Sequence, residues 1–220
     1  MASKTYAELK DILTEWASLD YIAPEDIPNI ELYMEQVTTF MEKELHGNKR
    51  YPEDKIMTKT MINNYSKNGL LPPSNKKKYS KEHIILLIYI YYLKNLLSIQ
   101  DIEILLKPMT NNHFDSATTL SMADIYSDMF ALEQEYGIKI RESIEDVYEI
   151  ANEKCQSHDD YLKTFAMIIM LSYDIYAKKQ LVERLIDSLQ PEPISKTELK
   201  EAKQQEKRTK KNDKHSTKPQ

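Results

Sequence analysis

Five residues between Thr58 and Asn68 could do chemistry together. Lys59, Asn63 and Lys67 recur at four-residue spacing, and Thr60 and Asn64 form the adjoining row. Wound into a helix, all five share the solvent face. Lysine can contact phosphate or guanine, and asparagine can pair bidentately with adenine in a major groove. No carboxylate, which phosphates would repel, interrupts this face. Beyond Gly69-Leu70-Leu71-Pro72-Pro73 lies a basic loop, Lys76-Lys77-Lys78-Tyr79, which suits backbone contacts that fix register without reading bases. An ordinary solvated helix face followed by a solubilising lysine run accounts for the two parts separately. Their direct succession favours a polyanion.

The charge distribution agrees. The chain has 220 residues and a formal charge of -5. Between Lys49 and Lys81, however, nine basic residues face two acidic ones, a local excess of +7. Residues 191–220 carry +4, which leaves -16 on the remainder. Such asymmetry points to a polyanion partner for one part of the chain only. Gly47, Gly69 and Gly137 are the only glycines, too dispersed for a phosphate-binding loop. The single Cys155 excludes an intramolecular disulfide and a multi-cysteine zinc site, and fits a reducing cytoplasm. No segment reads as a signal peptide, and the longest apolar run, Ile84 to Leu93, is too short to span a bilayer.

The elements that must position these residues read as helices. Thr5 and Glu8 form a capping-box pair opening an N-terminal helix with Leu9, Ile12, Leu13 and Trp16 on one face. Pro24 and Pro28 mark a linker. A second helix is expected from about Glu31 to Leu45 with Gly47 as its left-handed stop, and a third from Thr58 to Asn68 stopped by Gly69. On that third helix Met57, Met61, Ile62 and Tyr65 form the apolar stripe which, with Leu70, would hold it in place. Ser80 caps a fourth helix to about Leu97. Ser98 and Asp101 open a fifth that stops before Pro108. Ser121 and Asp124 open a sixth to about Tyr136, a seventh covers about Ile140 to Lys154, and a long one runs from Asp160 to about Gln190. No sheet is evident. The expected fold is therefore all-α, with residues 191–220 as a disordered, lysine-rich tail.

The stretch "TKTMINNYSKNGLLPP…KKKYSKEHIILLIYIYYLKNLLSIQDIEILL" resembles the winged helix-turn-helix domain of MerR-type regulators. Tyr65, Gly69, Leu70, Leu71 and Pro73 match the end of that family's recognition helix, with Pro72 in near-alignment. Tyr79 and Ser80 match the end of its wing, and Ser98, Ile99 and Ile102 a later helix start. This chain departs at Asn63, where arginine is usual, at Lys76–Lys78 in a shortened wing, at Leu96 in place of a glycine, and in the long His46–Met57 connection. The chain as a whole, with "LYMEQVTTFMEKEL" ahead of that stretch, is similar to an uncharacterised bacterial family, mainly Gram-positive, known as a domain of unknown function. The resemblance implies a DNA-binding helix-turn-helix and no reaction.

Together these readings divide the chain into an N-terminal helix and linker (1–28), a MerR-like DNA-binding domain (29–110), a C-terminal helical module for dimerisation or sensing (111–190) and the tail (191–220). Lys59, Thr60, Asn63, Asn64 and Lys67 are the expected groove contacts, and Lys76, Lys77, Lys78 and Tyr79 the backbone contacts. The expected protein is a cytoplasmic, non-enzymatic transcriptional regulator, without cofactor or metal. Its expected partners are double-stranded DNA, a second copy of itself and a small-molecule effector of unidentified chemistry.

Two other classes stay open. One is a protein–protein adaptor on the same scaffold. The other is a helical metal-dependent hydrolase using His158 and Asp159, with His113 upstream and Asp174 downstream. The bland reading of His158-Asp159 is a helix cap. Tyr89, Tyr91, Tyr92, Tyr161, Tyr173 and Tyr176 sit among Ile and Leu at helical spacing, which favours core packing for all of them over base stacking.

Overall fold

The computed structural model describes residues 21–114, 119–157 and 159–190. The N-terminal helix expected from Thr5, the tail and His158 lie outside them. Among the described residues, six α-helices and one two-residue strand pair make up the regular structure. In chain order these are β1 (Leu32–Tyr33), α1 (Met34–Glu44), a short 3₁₀ turn (His46–Asn48), α2 (Lys59–Lys67), β2 (Lys78–Tyr79), α3 (Lys81–Leu93), α4 (Ile99–His113), α5 (Met122–Lys154) and α6 (Asp160–Ser188).

The core is built around α3. Ile84, Ile85, Leu86, Leu87, Ile88 and Ile90 are all fully buried, so this helix is apolar around its whole circumference and must be covered on every side. β2, α4 and α5 supply the cover, and Ile62 of α2 and Val37 and Met41 of α1 complete the same cluster. At the N-terminus of α3, Ser80 N–H donates to His83 Nδ1 at 3.0 Å. That bond fixes the His83 lone pair on Nδ1 and caps the helix inside the core, between the rings of Tyr79 and Phe114.

Tyrosines join α3 to α5. Tyr89 packs edge-on against Tyr126 at 5.7 Å, and Tyr92 lies 5.3 Å from Tyr21. The Tyr126 hydroxyl donates to the carbonyl of Ile22 at 2.6 Å, a buried bond spanning 104 residues. Burial pushes the Tyr89 phenol up to about 12 and raises those of Tyr126 and Tyr92, so all three stay neutral. Changing Tyr126→Phe leaves the Ile22 carbonyl without its donor. A loss of about 1–2 kcal/mol is expected in urea denaturation, with the helical signal intact.

The structure corrects several expectations. Leu32 and Tyr33 form β1 and pair antiparallel with Tyr79 and Lys78, so a small sheet exists and α1 starts at Met34. Two-residue strands are too short to show alternation in a sequence. Gly47 lies within the 3₁₀ turn, and among the described glycines only Gly69 takes a left-handed φ, +75°. α3 ends at Leu93, short of Leu97. α4 runs through Pro108, because Met109 still packs on the core and Thr110 Oγ1 donates to the Leu106 carbonyl at 3.0 Å. The sixth and seventh expected helices are one. α5 continues through Gly137, whose cost of about 1 kcal/mol in a helix interior does not break it.

α5 and α6 meet in a second, much smaller cluster around Ala151 and Met167, with Ile144, Val147, Met170 and Leu171 beside it. Ile186, near the far end of α6, is buried in the main core. Among the described residues no helix is long and apolar enough to cross a membrane.

Candidate nucleic-acid interface

α2 forms where the sequence places it because Thr58 Oγ1 accepts the Met61 N–H at 3.2 Å and the first turn carries no competing signal. It stops at Gly69, whose positive φ lets the Leu70 N–H turn back to the Tyr65 carbonyl at 3.0 Å. Ile62 and Tyr65 are buried and Met61 packs against the core, as the apolar stripe requires. Lys59, Thr60, Asn63, Asn64 and Lys67 are all exposed. The helix is about 13 Å long at 1.5 Å per residue, a length a major groove about 12 Å wide admits.

The basic loop is a two-residue hairpin. Asn75 and Lys78 exchange backbone hydrogen bonds at 3.1 and 2.9 Å, which leaves Lys76 and Lys77 as the two central residues. Their φ values are +49° and +66°. Both therefore hold the left-handed conformation of a primed hairpin turn, where Asn-Gly is the favoured pair and a lysine Cβ is strained. Changing Lys76→Asn together with Lys77→Gly should relieve that strain and stabilise the fold by about 1–2 kcal/mol, raising Tm by several degrees in a thermal melt.

β2 ties this hairpin to the body. Lys78 Nζ lies 3.6 Å from Glu31 and over the Tyr33 ring, 5.7 Å from its centroid. Tyr79 turns inward, 5% exposed, with its ring against His83. Of the nine expected contact residues, Tyr79 alone is buried, which corrects its assignment as a backbone contact: it anchors the strand. α1 packs on both α2 and β2, so it is the element that sets their relation.

The sequence reading missed the carboxylates that α1 brings to this face. Glu35 ion-pairs with Lys59 at 2.5 Å, and that hydrogen bond holds the Glu35 carboxyl below its usual range. Glu42 pairs with Lys49. With Glu31 on Lys78, three lysines of the +7 segment are already partnered. Lys67, Lys76 and Lys77 make no ion pair among the described residues. Acids at i, i+4 and i+11 along Glu31–Glu42 were visible in the sequence, but nothing local said which way they would turn.

The long connection into α2 is pinned rather than loose. Ile56 and Met57 are buried, and Lys94 Nζ donates to the Ile56 carbonyl at 3.1 Å while lying 4.8 Å from the Tyr91 ring centroid. Burial lowers the Lys94 pKa. An open groove of about 690 Å³ lies between this connection and α1, with Thr38, Glu42, Lys55 and Met57 in its walls.

The core, the sheet and α2 are continuous from Ile22 to Tyr126, with Ile186 as the one buried member of the main cluster outside that span among the described residues. Residues 22–129 match the family model of a domain of unknown function, DUF1836. The DUF1836 span thus coincides with the residues that build the core and carry α2 and the hairpin. It stops eight residues short of Gly137, so most of α5 and all of α6 lie beyond it. No curated protein and no solved structure matches the chain significantly.

Of the residues considered for metal chemistry, His158 lies outside the described residues and the other three have separate partners. His113 Nδ1 lies 2.9 Å from the Leu120 carbonyl, Asp174 pairs with Lys178 at 2.7 Å, and Asp159 accepts the Leu162 N–H at the start of α6. Among the described residues no three His, Cys, Asp or Glu side chains are grouped to hold a metal ion.

Proposed function

We propose that this protein is a cytoplasmic, DNA-binding transcriptional regulator in which the DUF1836 span works as a MerR-like winged helix-turn-helix. One observation carries the reading. The exposed face of α2 offers two lysines, a threonine and two asparagines without a carboxylate of its own, and a hairpin tip of two lysines without an ion pair among the described residues follows it on the same scaffold. Asn63 and Asn64 are the base readers in this reading, and Lys67, Lys76 and Lys77 the phosphate contacts. Lys59 can exchange Glu35 for a phosphate at little cost, since an ion pair this exposed to solvent contributes little to stability.

Selection from a random duplex pool with the full chain tests this. The expected result is an enriched motif whose recovery depends on Asn63 and Asn64. If no sequence is enriched and no duplex is retained even at about 50 mM salt, where backbone contacts are strong, the DNA reading fails. The adaptor reading would then take its place, with Glu31 and the α1 carboxylates Glu35 and Glu42 as part of a docking surface.

A further inference from the structure

α6 carries a face that the described residues leave uncovered. Between Tyr161 and Ala177 the exposed positions are Tyr161, Leu162, Phe165, Ile168, Ile169, Ser172, Tyr173, Ile175, Tyr176 and Ala177. None is charged. The charges of this stretch, Lys163 and Asp174, fall on the half-buried side toward α5. Eight of these residues are large, with exposures from 40% at Leu162 to 73% at Tyr173. Taking about 150–250 Å² for each large side chain and about half of it exposed, the face presents roughly 800 Å². A monomer's largest apolar patch is usually about 300–600 Å², whereas a standard interface takes about 800 Å² from each partner.

The spacing says what covers it. Tyr161, Ile168, Ile175 and Val182 recur every seven residues, with Phe165 and Ser172 in the alternating positions. That is the 3.5-residue period of a helix meeting another helix in a left-handed pair. Charge narrows the partner. α6 has four acidic and four basic residues, with Asp174–Lys178 and Lys179–Glu183 paired within the helix, so a second α6 meets no repulsion. α5 has nine acidic residues against three basic ones and would repel its own copy.

We infer that two copies of this chain dimerise through α6, antiparallel, about an axis between Ile168 and Ile169. Under that symmetry Tyr161 faces Tyr176, Leu162 faces Ile175, Ile168 faces Ile169, and bulky Phe165 faces small Ser172. A parallel pair would instead set Phe165 on Phe165 and leave Ser172 on Ser172. A two-fold interface needs a surface complementary to itself, and only the antiparallel pairing makes this one so. The inference does not depend on DNA binding.

Light scattering and sedimentation of the full chain test it. The expected mass is twice 25.9 kDa at micromolar concentration. Ile168→Glu with Ile169→Glu should raise the dissociation constant at least about 100-fold by burying like charges, with circular dichroism unchanged at these half-exposed positions. Direction is read by cross-linking in a Cys155→Ser background. Ile168→Cys should oxidise to a linked dimer. Tyr161→Cys should not link to itself but should link to Tyr176→Cys when the two proteins are mixed. A monomer at all concentrations, or a dimer indifferent to the two glutamates, overturns the interface. Self-linking of Tyr161→Cys overturns the antiparallel arrangement.

Discussion

Replacing Lys67, Lys76 and Lys77 by alanine is expected to weaken binding to any DNA duplex by several hundred-fold at about 0.1 M salt. Each phosphate contact adds about 0.9 to the slope of log affinity against log salt, and at that salt one contact amounts to nearly tenfold. Three lost contacts should therefore flatten the slope by about 2.7 as well as lower the affinity. These lysines are the right ones because they are exposed and make no ion pair among the described residues, whereas Lys59 and Lys78 already face Glu35 and Glu31. Sequence preference should survive, since Asn63 and Asn64 are untouched. A triple variant that binds as tightly and as salt-sensitively as the parent would falsify the interface. Fluorescence anisotropy over a salt series, with specific and unrelated duplexes, measures both quantities.

The second large effect concerns stability. Leu87→Ala is expected to cost about 3–5 kcal/mol, because Leu87 is fully buried at the middle of α3 and its removal leaves a cavity that packed neighbours on several sides cannot close. Domains of this size are commonly stable by only about 5–15 kcal/mol, so the variant should be near its unfolding midpoint at modest urea concentration. Because α2, β2, α4 and α5 belong to the same core as α3, the loss should appear as one cooperative transition. A cost under about 1 kcal/mol would mean that α3 is not the centre of the fold. Urea denaturation followed by circular dichroism decides it.

Much of this was readable from local signals. Caps at Thr58, Ser80, Ser98 and Ser121 start four helices where the sequence places them, and Gly69 stops α2. The buried side of α2 follows from the spacing of Ile62 and Tyr65. What stayed hidden depends on partners distant in the chain. β1 and β2 exist only because Leu32 meets Tyr79 and Tyr33 meets Lys78, 47 and 45 residues apart. Breakers misled in both directions: Pro108 and Gly137 sit inside continuous helices, because the residues after them still have surface to bury or length to carry.

Tyrosine was the other failure. Tyr89 and Tyr92 do pack on the core, yet Tyr161, Tyr173 and Tyr176 share their helical spacing and stand 61–73% exposed. Periodicity identifies a face without saying whether the chain itself supplies its cover. For the proposed interface, exposure and the side chains were legible in the sequence, but the α1 carboxylates and the inward turn of Tyr79 required the fold.

The hairpin tip has a consequence for anyone evolving this protein in the laboratory. At Lys76 and Lys77 backbone comfort and positive charge are opposed, since the residues that best fit the turn carry no cation. A screen for heat tolerance alone should therefore drift toward Asn-Gly there, and its winners should be sturdier proteins that have lost the two cations of the proposed interface. Lysine retained at both positions under such a screen would reveal a selective demand for charge that no stability assay could register.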